Sequence, residues 1–115
     1  MTGEYDRKAL ITLQVGVKIL LRNKFDKYLL LRRSLEKYPE INSRWDIVGG
    51  RINPGSPLSE NLAREVKEET GLSIVGTPKL IAAQDIFRKK GFHVVRLTYV
   101  GGAEGEVILD KSEND

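Results

Sequence analysis

Residues 64–72 read REVKEETGL, which sets Glu65, Glu68 and Glu69 within five positions of one another. Crowding of this kind is unfavourable by itself, because each i,i+4 like-charge pair on a helix costs roughly a few tenths of a kcal/mol. Neighbouring cations or a bound metal ion must offset it. The residues before the stretch predict a helix. Ser56 is suited to cap it, a role worth about 1 kcal/mol, and Pro57 to occupy its first position, where the missing N–H costs nothing. Leu58, Leu62 and Val66 recur every four residues, with Ala63 beside them, and form one apolar stripe. Gly71 is placed to end the helix in the left-handed conformation, and Leu72 to fold back toward Val66 in a Schellman ending.

At roughly 100° per residue, Glu65, Glu68 and Glu69 fall within about 100° of arc, and the apolar stripe centres about 60° from Glu65. Glu69 lies inside the apolar sector, while Arg64, Lys67 and Glu60 take the solvent side. A charged helix with i,i+4 pairs such as Arg64–Glu68 is the ordinary explanation of such a run. The wheel argues against it for Glu65 and Glu69, which belong to the seam between helix and core. Clustered oxygen ligands at such a seam suit a hard divalent cation.

Outward from the helix the pattern turns to strands. Residues 11–22 (ITLQVGVKILLR) read as a strand, NKFDK as a turn and YLLLRRS as a return strand, making a hairpin. Residues 34–44 read as loop, WDIV as a short buried strand entering Gly49–Gly50, and RINPGSP as loop. After the helix, SIVG, KLIAAQDIFR and FHVVRLTYV read as strands, with EVIL as a candidate for one more. The fold class is an α/β (α+β) sandwich, a mixed sheet with one central helix, in a single domain over residues 1–115.

Composition narrows the function classes. The 115 residues hold no cysteine, which excludes disulfide frameworks and thiolate metal sites. No run is long enough for a membrane span and the N-terminus lacks a signal-peptide core, so a cytoplasmic protein is expected. Residues 1–103 carry 18 Lys/Arg against 11 Asp/Glu, whereas residues 104–115 carry one lysine against five acids. A basic body suits a phosphate-bearing ligand. Nucleic acid is disfavoured, since residues 22–44 show no dense basic run interleaved with aromatics.

The stretch GGRINPGSPLSENLAREVKEETGL, residues 49–72, resembles the signature of the Nudix hydrolases, G-x5-E-x7-R-E-U-x-E-E-x-G-U with U a bulky aliphatic residue. Gly50 matches the first glycine, and Arg64 through Leu72 match the last nine positions. The flanking LLLRR and WDIVGG segments agree, so the resemblance covers nearly the whole chain. One position departs: the first Glu of the pattern falls at Ser56, which implies altered rather than lost metal affinity. The resemblance also implies a further strand and helix after the position of Asp115. Without that helix, strands such as FHVVRLTYV are expected to expose apolar side chains and favour association between copies.

The resemblance implies divalent-metal-dependent hydrolysis of a pyrophosphate bond in a nucleoside diphosphate linked to another moiety, with Mg²⁺ as cofactor and Mn²⁺ as substitute. Its metal ligands would be Glu65, Glu68, Glu69 and the Gly49 carbonyl, with Arg64 orienting the carboxylates and Arg64, Glu65 and Glu68 as the catalytic set. Glu68, Glu104, Glu106 and Glu113 are candidates for the general base, and Arg33, Arg44 and Arg51 for contacts to a small nucleotide substrate. His93 reads as structural. The competing readings are a nucleotide-binding module without turnover and a fragment lacking a competent site. The intact glutamate set favours the enzyme.

Overall fold

The computed structural model describes residues 10–32 and 45–108. The loop expected at 34–44, and with it Arg33 and Arg44, lies outside the described residues, as does Glu113. Strand β1 (Thr12–Arg22) is followed by β2 (Leu31–Arg32), β3 (Trp45–Asp46), β4 (Val48–Arg51), helix α1 (Leu58–Thr70), β5 (Ser73–Ile86) and β6 (Phe92–Glu104). The main sheet has the order β4-β1-β6-β5. Its centre is the parallel pair β1/β6, in register from Thr12↔Phe92 to Arg22↔Gly102. β4 joins β1 and β5 joins β6 antiparallel, so the sheet is mixed as expected.

Helix α1 packs its Leu62 and Val66 against Val17, Ile19 and Leu21 of β1, with Leu31, Val48 and Leu72 closing the cluster. Each such aliphatic side chain contributes about 1.5–3 kcal/mol by leaving water. Leu58 is 37% exposed, so the buried stripe is one turn shorter than the sequence pattern. Gly71 takes the left-handed conformation, φ 76°, and its N–H donates to the Lys67 carbonyl at 3.0 Å. Leu72 N–H donates to Thr70 Oγ1 instead of a helix carbonyl, so the ending is the simpler single-bond left-handed cap rather than a Schellman motif.

Several local expectations are corrected. Ser56 makes no side-chain capping hydrogen bond; Pro57 occupies the cap position in extended conformation, and Ser56 Oγ instead lies 3.3 Å from Glu60 Oε2. The return arm of the first hairpin meets β1 in a single bridge, Arg22↔Tyr28, after which Leu31 and Arg32 pair with β3 in a separate two-stranded sheet. WDIV is divided between β3 and β4, with Trp45 59% exposed and only Val48 in the core. The two strands expected after the helix are one, β5, which absorbs the interruption at Gly76–Pro78 as register shifts between Val75 and Lys79 and between Leu80 and Ala82. Glu106–Ile108 form no strand; Ile108 N–H donates to the Thr70 carbonyl at the end of α1. Exposure of apolar side chains falls on the edge strand β5 (Leu80 and Ile81 are about half exposed) rather than on β6, whose residues are mostly half-buried.

Candidate active site

Asn61, Glu65 and Glu69 stand at i, i+4 and i+8 and form one ridge of α1, facing the edge strand β4. Packing of Leu62 and Val66 into the core rotates this ridge into the seam, as the helical wheel requires. Glu69 is 7% exposed, and its Oε2 accepts a hydrogen bond from the Gly49 N–H at 2.9 Å. Glu65 lies against the next residue: a Cβ built on Gly50 would meet the Glu65 carboxylate at 2.8–2.9 Å. Glycine at 50 is what lets a carboxylate sit directly on the strand backbone. The Glu68 side chain, 60% exposed, stands at the outer edge of the cluster.

Arg64 ties the cluster together. Its NH1 donates to Glu65 Oε1 at 2.9 Å and lies 3.4 Å from Glu68 Oε2. Its NH2 donates to Asn61 Oδ1 at 3.0 Å and reaches the Arg51 carbonyl at 3.4 Å. The Glu65 contact is thus closer than the i,i+4 contact expected with Glu68. Burial holds the Glu65 carboxyl above its ordinary range; Arg64 opposes that shift, and the charges of Glu69 and Glu68 add to it. One guanidinium does not cancel the effect of burial and two carboxylate neighbours. The ridge favours further positive charge.

Asn61 is a structural member of this site that the sequence reading did not single out. It is fully buried, and its Nδ2 donates to the carbonyls of Ser56 and Pro57 at 2.9 and 2.7 Å. Its Oδ1 accepts from Asn53 N–H at 2.9 Å as well as from Arg64. The side chain thereby fixes the 53–57 loop to the helix and holds Arg64 in place. The available signal was its position, one turn before Glu65 on the same ridge.

The donor set has the chemistry of a hard-cation site: two sequestered carboxylates, a third at the rim and a glycine backbone beside them. Among the described residues no three acidic or histidine side chains are already drawn into a closed cage. Glu65 is engaged by Arg64 and Glu69 by Gly49, so coordination would require these side chains to exchange partners. The residues fit a divalent ion by type and clustering.

Other candidates lie elsewhere. Arg51 contributes its carbonyl to the cluster, but its side chain turns to the sheet face opposite α1, with Nε donating to Gln14 Oε1 at 3.1 Å. Glu104 lines an open cleft of about 660 Å³ with Arg22, Lys24 and Phe25, to which none of the three glutamates of the ridge contributes. The Glu106 carbonyl lies beside Gly71 at the other end of the helix. His93 lies with Nε2 2.7 Å from Asp85 Oδ1 and packs on Phe87, with ring centroids 4.5 Å apart, in keeping with a structural role. No helix among the described residues is long and apolar enough to cross a membrane.

The sequence pattern of the NUDIX domain matches residues 12–115. A Bacillus subtilis (strain 168) protein provisionally named 8-oxo-dGTP diphosphatase is 26% identical over 99 residues, which cover 85% of this chain and 60% of the relative. The chain therefore spans less than two thirds of that relative's length. The crystal structure of a MutT protein from Methanosarcina mazei Go1 matches with a TM-score of 0.73 at 32% identity, over 91% of this chain and 74% of that one. A MutT NUDIX hydrolase from Burkholderia pseudomallei matches with the same TM-score at 21% identity, over 90% and 79% of the two chains, and shares the fold.

Proposed function

The chain belongs to the Nudix family, and from that premise we propose that it hydrolyses a pyrophosphate bond in a nucleoside diphosphate linked to another moiety. The observation that carries this reading is the ridge itself: Glu65 and Glu69 in the seam, each against one of two successive glycines, with Glu68 at the rim. Glu65, Glu68 and Glu69, with the Gly49 carbonyl, would hold Mg²⁺ or Mn²⁺. The bound ion supplies positive charge against the phosphates and the acidity that makes water a nucleophile near neutral pH.

The chain's own residues set the geometry. Arg64 fixes the Glu65 carboxylate and is itself fixed by Asn61 and the Arg51 carbonyl, so the ridge is preorganised from two sides. Glu68, the most solvent-accessible of the three, would accept the proton of the attacking water in this reading. Water forms a new P–O bond, the bridging P–O bond breaks, and a phosphate leaves with the bridging oxygen. Such a small, anionic substrate suits the basic body of the chain. The name of the Bacillus subtilis relative makes 8-oxo-dGTP a substrate to include.

Product release from 8-oxo-dGTP and a panel of nucleoside diphosphate derivatives, measured in Mg²⁺ and in chelator, tests the reading. Release that requires the metal is expected from at least one of them. Absence of turnover across the panel, with nucleotide binding retained, would establish a binding module instead.

A further inference from the structure

Lys18 stands in β1 directly opposite Gly49 of β4. The alternation that turns Val17 and Ile19 toward α1 turns Lys18 to the other face of the sheet. Its side chain does not leave for solvent from there. It is 15% exposed, and its Nζ donates to Asp46 Oδ2 at 2.7 Å and reaches the Ile47 carbonyl at 3.4 Å. The stem passes over Gly49 on the way: a Cβ built on that glycine would lie 2.8 Å from Lys18 Cδ. Lys18 occupies the space that a side chain at 49 would need.

The ammonium acts where the chain passes from the small sheet to the main one. Asp46 ends β3, Val48 begins β4, and Ile47 joins them. Ile47 is held on both sides, its N–H donating to Asp46 Oδ1 at 2.8 Å and its carbonyl facing Lys18. β4 is four residues long and lies at the edge of the sheet, so its own ladder to β1 is short. Gly49 is therefore fixed from both faces, by Glu69 from the helix side and by Lys18 from the other. A surface salt bridge adds little stability, and a lysine that covers its stem gives up rotamer freedom. What Lys18 adds is independence. A metal ion that takes Glu69 competes with the Glu69 contact to Gly49 and leaves the Lys18 contact untouched.

We propose that Lys18 is a positioning residue for the acidic ridge, holding the Gly49 peptide in place from the opposite face of the sheet when Glu69 turns to a metal ion. The proposal rests on the function proposed above, in which Gly49 and the three glutamates hold that ion. Its sign is opposite to that of a simple charge effect. A cation near a divalent ion repels it, so removing the lysine charge would tighten metal binding if charge alone acted. Loss of positioning weakens it.

Mn²⁺ titration followed by electron paramagnetic resonance, together with amide exchange of the metal-free protein, tests this. Lys18→Met keeps the stem over Gly49 and removes the anchor, and Asp46, 41% exposed, can be solvated in its absence. Exchange of the Gly49 amide should quicken about tenfold relative to the Val66 and Leu97 amides, the scale of one lost charge-assisted hydrogen bond. Mn²⁺ affinity should fall about fivefold, within the range for coupling through packed neighbours. Lys18→Arg, whose guanidinium can also meet Asp46, should recover most of both. With a turned-over nucleotide, Lys18→Met should lower kcat and leave KM within about twofold. Asp46→Asn should weaken Mn²⁺ binding as Lys18→Met does and add nothing to it in the double variant. If thermal melts show that Lys18→Met misfolds, Asp46→Asn decides. Unchanged or tighter Mn²⁺ binding, equal acceleration of all three amides, or no recovery in Lys18→Arg would overturn the proposal. If wild type binds Mn²⁺ but turns over no nucleotide, the proposed activity fails and the Mn²⁺ and exchange results still decide the role of Lys18.

Discussion

The Gly49 N–H donates to Oε2 of Glu69 at 2.9 Å, binding the entry of the 49–57 segment to the last turn of the helix that follows it. The acidic ridge is thus built across a chain reversal, with one end of the segment fixed by Glu69 and the other by Asn61. A nearly buried carboxylate that accepts from a strand N–H is held against that strand. The helix end and the strand are thereby tied together, and a metal ion would have to compete with this contact for Glu69.

Divalent metal should raise the melting temperature of the wild-type chain, because a ligand that binds only the folded state stabilises it by mass action. Glu65→Gln with Glu69→Gln should abolish most of that shift and most activity. Differential scanning fluorimetry with Mg²⁺ and Mn²⁺ reads the first directly. An undiminished shift in the double variant would remove these carboxylates from the metal site.

The stability of metal-free protein should fall with pH through the titration of Glu65. Burial first, and then Glu69 and Glu68, raise its carboxyl above the ordinary 4.5, against the pull of Arg64. The folded form therefore holds the proton more tightly than the unfolded chain. This contribution is complete below pH 4.5 and is lost as pH rises through the raised value, which leaves ionised Glu65 a net cost at neutral pH. In chelator at pH 7.5, Glu65→Gln should melt no lower than wild type, since Gln still accepts from Arg64. A markedly lower melt at that pH would mean that the Arg64 pair outweighs desolvation.

Ser56→Ala should change stability by no more than about 0.5 kcal/mol, the range for surface positions, because the Ser56 hydroxyl caps nothing and meets Glu60 alone, while the backbone bonds of Ser56 survive the change. Asn61→Ala should cost about 3 kcal/mol, since it strands buried donors and acceptors of the 53–57 loop. It should also lower activity by releasing Arg64. Urea unfolding of the two variants orders them, and a larger loss at Ser56 would restore the capping role.

Helix α1 and its ridge were legible because both rest on local periodicity: the spacing of Leu62 and Val66 dictates which way Glu65 and Glu69 face. Gly71 was legible for the same reason. The parallel pairing of β1 with β6 was not, since it joins residues some 80 apart and leaves no local mark. Ser56 and Asn61 exchanged roles because propensity rewards a serine before a helix, whereas the tertiary fold buries the asparagine and lets its amide satisfy the loop. The direction of the Arg51 side chain followed from strand register, which the sequence alone did not supply.

Two adjacent glycines should respond to alanine in opposite ways. At Gly49 a Cβ would clash with the Val17 carbonyl oxygen and lie 2.8 Å from the Lys18 Cα, both backbone atoms of the neighbouring strand. β1 is central and cannot withdraw, so Gly49→Ala should displace β4 and lower stability severely, with activity lost through misfolding. At Gly50 the Cβ would instead meet the Glu65 carboxylate, the far end of a flexible side chain. Glu65 can rotate aside, so Gly50→Ala should melt near wild type while losing the metal-induced shift and most turnover. Melting curves with and without Mg²⁺, alongside activity, separate the two. A Gly50→Ala protein that keeps full metal response would show that Glu65 need not lie against the strand, and the ridge would then owe its function to Glu68 and Glu69.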